Sequence, residues 1–398
     1  MKSLTNVFAV ALSVMGILLP AHAIGADESG EQPARPIPKE LRLLYAALMT
    51  VQETAAQPVT LEELARGALN GMAKAADEDN EYYSQAEYEN YTSGRSEGAV
   101  GLELASRGDA LMIISPIVGG PADLAGLLPK DRIVSINEEI VVGKSVAKAL
   151  DLLRGPIGSK VRISVSRGDA KRLLTLEVER GKISVSSVST RRLHEDILLL
   201  KVTALRTDAL TMVARHLQQE WNTRPFKGLV LDLQHNPGGL LQHAIGLAAL
   251  FLPPDKVVAK TMGQSNDAKA VYFARPQFYL RSQEADPLRD LPGAIRSIPL
   301  VVLVDAGTAS GAEVVAGALQ QHARAKIIGH QTFGRAKIQT LRPLPGYGAL
   351  RITSGLIYAP NDKSYEAGIQ PDVVLPPDTS QMAAADEALL ILKKTLAH

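Results

Sequence analysis

The sequence predicts a multidomain α+β chain with a helical N-terminal segment, a small strand-rich unit and a larger core of alternating α and β elements. Three observations predict it. Residues 38–91 carry apolar side chains at helical spacing. Residues 97–181 hold short alternating strands separated by turns and two short helical stretches. Beyond residue 182, apolar strands such as 228–233 (GLVLDL) and 298–304 (IPLVVLV) alternate with helical segments, the pattern of layered α/β architecture. A length of 398 residues suits two or three such units.

The chain starts with Lys2, an apolar run over 7–19, Pro20 and the small-x-small triplet Ala21-His22-Ala23. Residues 1–23 therefore read as a secretory signal peptide cut after Ala23, and the expected location is the periplasm. No later run is long and apolar enough to span a bilayer, so no integral membrane segment is expected after signal removal. Residues 24–96 form a leader and the N-terminal helical region. Within it, Thr60 and Glu63 have capping-box spacing ahead of Leu61, Leu64, Ala68, Leu69 and Met72. Asp77, Asp79 and Glu81 look superficially like a calcium loop, but the central glycine and the terminal glutamate are missing, so no metal is expected.

Composition closes off other classes. The 43 basic and 42 acidic residues give a net charge of +1, which argues against nucleic acid as a partner. The absence of cysteine excludes disulfides, thiol catalysis and Cys-ligated zinc. No H-E-x-x-H occurs, and Gly143-Lys144-Ser145 lacks the earlier glycine of a phosphate loop.

In the second unit, 97–181, strands are expected at 98–104, 111–115, 131–136, 160–165 and 173–178. The phrases SPIVGGPADLAGLLPKDRIVSIN (115–137) and LLRGPIGSKVRISVSRG (152–168) resemble a PDZ domain. That resemblance implies a groove that captures the C-terminus of a protein or peptide by strand addition. Gly98 and Gly101 would let backbone N–H groups converge on a carboxylate. Val100, Leu102 and Leu104 would form the edge strand that pairs with the peptide.

The third unit, 182–378, carries the candidate chemistry, followed by a C-terminal helix in 379–398. In VDAGTASGAE (304–313) a strand runs through a turn into a helix, with Ser310 at the helix start. That position offers free N–H donors to a developing oxyanion. A serine there also serves as an ordinary N-cap. In DLQHNPGG (232–239), Gly238 and Gly239 allow an outward-pointing N–H, and they equally suit a plain β-to-α turn. Together with GHQTFGRAKIQT (329–340), VVLVDAGTASGAEVVAGALQ and YEAGIQPDVVL, these pieces resemble the carboxyl-terminal processing proteases, peptidase family S41 with a PDZ domain. The resemblance implies an α/β core of the ClpP/crotonase type, a serine nucleophile, a lysine base and a neighbouring glutamine, with no cofactor. Carried onto this chain, Ser310 falls on the nucleophile and Gln339 on the glutamine. Gly311, Gly238 and Gly239 fall near the oxyanion donors.

The family lysine position holds Arg335, which cannot act as a base. Lys337, two places along an extended strand and on the same face, is the expected substitute. His235 is a more remote alternative; His322 and His330 read as solvated or packing residues. The expected function is an exported serine endopeptidase that takes protein C-termini through the PDZ unit and cleaves them by a Ser/Lys acyl-enzyme route. The alternative is an impaired pseudoprotease that keeps only peptide binding. A homo-oligomer or an adaptor is a further expected partner.

Overall fold

A computed structural model describes residues 37–93, 98–168, 172–183, 187–194, 196–281 and 284–397. The signal-peptide reading of 1–23 lies outside them. Among the described residues no helix is long and apolar enough to cross a membrane.

The N-terminal arm consists of α1 (Lys39–Thr54), α2 (Leu61–Ala76), β1 (Glu81–Tyr83) and α3 (Gln85–Thr92). The capping box forms as read: Glu63 N–H donates to Thr60 Oγ1 at 3.2 Å, and Thr60 N–H to Glu63 Oε2 at 2.9 Å. The polar stretch after α2 contains a strand that periodicity did not reveal. β1 has only three residues, and its partner lies some 270 positions away in the core, at the register Glu81↔Arg351.

The middle unit comprises β2 (Leu102–Arg107), β3 (Ala110–Pro116), α4 (Pro121–Leu124), β4 (Arg132–Ile136), β5 (Glu139–Ile140), α5 (Val146–Leu153), β6 (Lys160–Arg167) and β7 (Arg172–Glu179). Its strands run in the order β2-β3-β4-β6-β7, with β5 on β4. β2 is thus an edge strand, and α5 packs against it. Leu102, Leu104, Ile113, Ile133, Ile163 and Val165 fill the interior, capped by Val146, Ala149, Leu150 and Leu153 of α5.

The core contains β8 (Val188–His194), β9 (Ile197–Val202), α6 (Ala209–Thr223), β10 (Gly228–Asp232), α7 (Leu241–Ala249), β11 (Val257–Met262), β12 (Ala270–Phe273), β13 (Leu300–Val304), α8 (Gly311–Gln321), β14 (Lys326–Gly329), β15 (Lys337–Leu344), β16 (Gly348–Tyr358), β17 (Val373–Val374) and α9 (Gln381–Leu396). One sheet has the order β17-β14-β13-β10-β9-β8, and all its pairings are parallel except β8–β9. Its central strands are buried on both faces, which explains their unbroken apolar runs. Leu229, Leu231, Val302 and Val304 pack toward α6, α7 and α8, while Val230, Val301 and Leu303 pack toward α9. A second, antiparallel sheet runs β1-β16-β11-β12, with β15 on β16.

The three parts meet around one buried ion pair. Glu81 lies 3.2 Å from Arg351, and both side chains are about 95% buried (5% and 4% exposed). Glu81 also accepts from the Ser106 hydroxyl on β2 and from Val146 N–H at the start of α5. A single arm residue thereby bridges the middle unit and the core. Breaking a buried pair by removing one partner strands the other charge. Glu81→Ala is expected to destabilise the chain by about 3–5 kcal/mol, read as a lower urea midpoint; an unchanged midpoint would show that the junction does not depend on this pair.

Candidate active site

Ser310 sits between β13 and α8 with φ +53° and ψ −118°. This is a sparsely populated backbone region for a residue with a side chain, and such strain persists only where surroundings over-determine it. Here they do. Thr308 Oγ1 donates to Leu233 O at 2.9 Å, and Ala309 N–H donates to Asn236 O at 2.9 Å. Ser310 N–H donates to Glu313 Oε2 at 2.8 Å. The strained turn lifts the serine away from its strand and presents it at the start of a helix, as a nucleophile turn does.

Glu313 has no exposed surface. It accepts from the Thr332 hydroxyl, from Gly334 N–H at 2.8 Å and from Arg335 N–H at 2.9 Å, in addition to Ser310. Burial pushes its carboxyl up, and these hydrogen bonds only partly offset the shift. Sequence reasoning passed over Glu313, although the S-x-x-E spacing from Ser310 carried the signal. It passed over Asn236 as well, which pins the glycine turn: Asn236 Nδ2 donates to Val202 O, and Gly238 N–H donates to Asn236 Oδ1, both at 2.8 Å.

That last bond corrects one expectation. The Gly238 N–H is already taken by Asn236 and is not a free oxyanion donor. Gly238 serves close packing instead. At φ +93°, an added Cβ would lie 2.7 Å from both Ala309 O and Gly311 N. Gly239 and Gly311 are neighbours, since a Cβ built on Gly311 would lie 3.6 Å from Gly239 N. No backbone acceptor claims either N–H among the described residues. Gly239 lines one cavity with Ser310, Arg335, Lys337 and Gln339. Gln339 Nε2 donates to Thr353 Oγ1, and its buried Oε1 has no partner.

Lys337, the expected base, lines the Ser310 cavity but is engaged by two carboxylates. Lys337 Nζ lies 2.9 Å from Asp77 Oδ1 and 2.7 Å from Asp79 Oδ2. Burial lowers its pKa, but the hydrogen bonds and charges of Asp79 and Asp77 outweigh burial and hold the ammonium above its ordinary value. It is a charged, paired amine. Asp77 and Asp79, the acidic residues of the discounted calcium pattern, are its partners. Arg335 lines the same cavity, its pKa pulled down by burial and by Arg351 yet still that of a guanidinium. The histidines offer no replacement. His235 Nδ1 lies 2.5 Å from Asp305, and this residue lines a neighbouring cavity. His322 and His330 meet the carbonyls of Val257 and Pro376.

The middle unit forms the other wall. Glu103 and Leu104 of β2, Ile114 of β3, and Val146 and Leu150 of α5 line the Ser310 cavity. Ala105, Met112 and Ile114 pack on Ala309 and Phe333 of the core. The Arg107 guanidinium lies 5.6 Å from the Phe333 ring centroid, and Ser115 Oγ donates to His235 O at 3.0 Å. Of the expected peptide-binding residues, Leu104 reaches the cavity, and Val100 and Leu102 are buried in the middle unit's interior. Gly101 takes φ +76°, and its carbonyl receives Ile117 N–H. Gly98 is elsewhere, packed against Gly155 and Ile157.

With this geometry, comparison with known proteins is decisive. The profile of peptidase family S41 matches residues 196–375, and a PDZ-domain profile matches 112–167. A carboxy-terminal-processing protease of Bartonella bacilliformis is 33% identical over 321 residues, covering 79% of this chain and 70% of that protein. The chain belongs to peptidase family S41. A probable CtpA-like serine protease of Staphylococcus haemolyticus is 27% identical over 338 residues, covering 84% of this chain and 64% of that protein. The S41 fold itself is supported by the photosystem II D1 C-terminal processing protease, with a TM-score of 0.71 at 23% identity, covering 89% of this chain and 98% of that one.

Glu103 makes the S41 cavity sensitive to pH. Burial raises its carboxyl pKa, while Arg335 and Arg206 only partly offset the rise. A raised folded-state pKa contributes stability below the ordinary carboxyl value of 4.5, and that contribution is lost as pH climbs through the raised value. Glu103→Gln is therefore expected to be more stable than the parent near neutral pH and to converge with it near pH 4. Parallel unfolding midpoints across that range would contradict the assignment.

Proposed function

We propose that the chain is a C-terminal processing serine endopeptidase of the S41 type with an acylation step that lacks a lysine base. The observation that carries this reading is the single cavity shared by Ser310 and the β2–α5 groove. A chain end paired with the free edge of β2 is delivered to the serine without leaving the protein. Ser310 Oγ attacks the scissile carbonyl, and the oxyanion faces the Gly239 and Gly311 N–H groups at the N-terminus of α8. The tetrahedral intermediate collapses to an acyl-serine and releases the amine-bearing fragment. Water then hydrolyses the ester and frees the carboxylate. Gln339, buried with an unpaired Oε1, orients a donor in the same cavity. Solvent takes the Ser310 proton and supplies one to the departing amine, because Arg335 cannot accept a proton and Lys337 is held charged by Asp77 and Asp79.

The same pair of facts favours a second reading, in which binding persists and turnover does not. Export to the periplasm belongs to the proposal through the 1–23 signal alone, and the physiological partner is a protein with an accessible C-terminus.

General acid–base help is worth roughly 10²–10⁴-fold. Arg335→Lys is expected to cleave an unfolded protein substrate faster than the parent by about that factor, and Ser310→Ala is expected to be inert in both backgrounds. Parent activity equal to that of Arg335→Lys would overturn the missing-base assignment. Activity surviving Ser310→Ala would overturn the serine mechanism. A parent with no turnover and an active Arg335→Lys would favour the receptor reading.

A further inference from the structure

Three cations line the cavity at Ser310: Arg335, Lys337 and Arg351. Two have carboxylates of their own. Asp77 and Asp79 hold Lys337, and Glu81 holds Arg351. Arg335 differs. Among the described residues its guanidinium forms no ion pair and no hydrogen bond; the recorded bond of this residue is its backbone N–H to Glu313. Its electrostatic neighbours are Arg351, which repels it, and Glu103, Tyr91 and Asp79, which favour its charge; Asp79 is itself held by Lys337, and burial raises the Glu103 carboxyl. A guanidinium does not give up its proton, so an unpaired one in a part-buried wall is costly until an anion meets it. A further donor faces the same space, the free N–H of Gly239, with Gly311 beside it at the start of α8, whose helix dipole points its positive end toward Ser310. A second unmet donor, the buried Nε of Arg351, lies in the same wall.

We propose that the cavity at Ser310 is a carboxylate receptor built on Arg335, taking the α-carboxylate of a peptide chain end on the core wall that faces the β2–α5 groove, a seat distinct from the Gly98–Gly101 loop expected to hold a chain end in the middle unit. A guanidinium matches a carboxylate with two parallel hydrogen bonds, which a lysine ammonium does not. The arginine thus turns a seat suited to acyl transfer into one suited to holding a chain end. This goes beyond the proposed function, since occupancy of the seat requires no turnover.

The test uses the full chain with Ser310→Ala, which removes turnover, and a probe peptide, acetyl-Ala-Ala-Leu-Ala, as free acid and as C-terminal amide. Calorimetry is expected to find two sites for the acid, one of which Arg335→Gln weakens by roughly 10- to 100-fold, the worth of a charged hydrogen bond. The amide should lose that same site. Without peptide, Arg335→Gln should melt no lower than its parent, because it removes an unpaired, half-buried charge, and this separates a lost site from a misfolded protein. One site that persists unchanged in Arg335→Gln would overturn the receptor and leave groove capture standing. Equal binding of acid and amide would also overturn it, and absence of binding in every variant would overturn both readings.

Discussion

The candidate site depends on one buried carboxylate. Glu313 receives the N–H groups of Ser310, Gly334 and Arg335 and the hydroxyl of Thr332. It therefore joins the first turn of α8 to the loop that enters β15. The serine, the arginine at the family lysine position and, four residues further on, Gln339 are held in one frame by the acceptor capacity of one side chain. Such a residue must bear the desolvation of its charge, and the raised carboxyl pKa is the trace of that cost. Neutral replacements of the same shape would keep fewer of the four bonds, so the frame and the buried acid stand or fall together.

Above this frame lies a cavity with two owners. The core contributes the reacting atoms and the middle unit contributes β2 and α5. Apolar contact between Met112, Ile114 and Phe333, with Arg107 over the Phe333 ring, seats one on the other. The arm closes the arrangement electrostatically. Asp77 and Asp79 hold Lys337, and Glu81 holds Arg351. Asp77 and Asp79 keep the Lys337 amine of that cavity charged, so the chemistry of the site and the architecture of the arm are linked.

Much of this was legible in the sequence. Apolar runs such as 228–231 and 300–304 show their burial on two faces by composition alone, and the strand-turn-helix around Ser310 is a local feature with local signals. The capping box at Thr60 and Glu63 is local too. The missed features are long-range. β1 is three residues in a polar stretch, and its pairing with β16 has no periodic signature. The partners of Lys337 lie about 260 positions upstream, so its stem could be read as reaching toward Ser310 when its charge is spent on Asp77 and Asp79. The Gly238 N–H was legible as outward-pointing, but Asn236 two residues earlier turns its side chain back and takes it. In each case the sequence supplied the group, and a contact from a distant element or a folded-back side chain decided its role.

On the proposed mechanism, Ser310 reacts without help from a lysine amine. The most direct measurement is the rate at which a fluorophosphonate modifies Ser310 between about pH 6 and pH 10, the range over which a perturbed amine titrates, in the parent and in Lys337→Met. The rate should climb with pH without a plateau and be the same in both proteins. A plateau with an apparent pKa near neutrality, abolished by Lys337→Met, would contradict it.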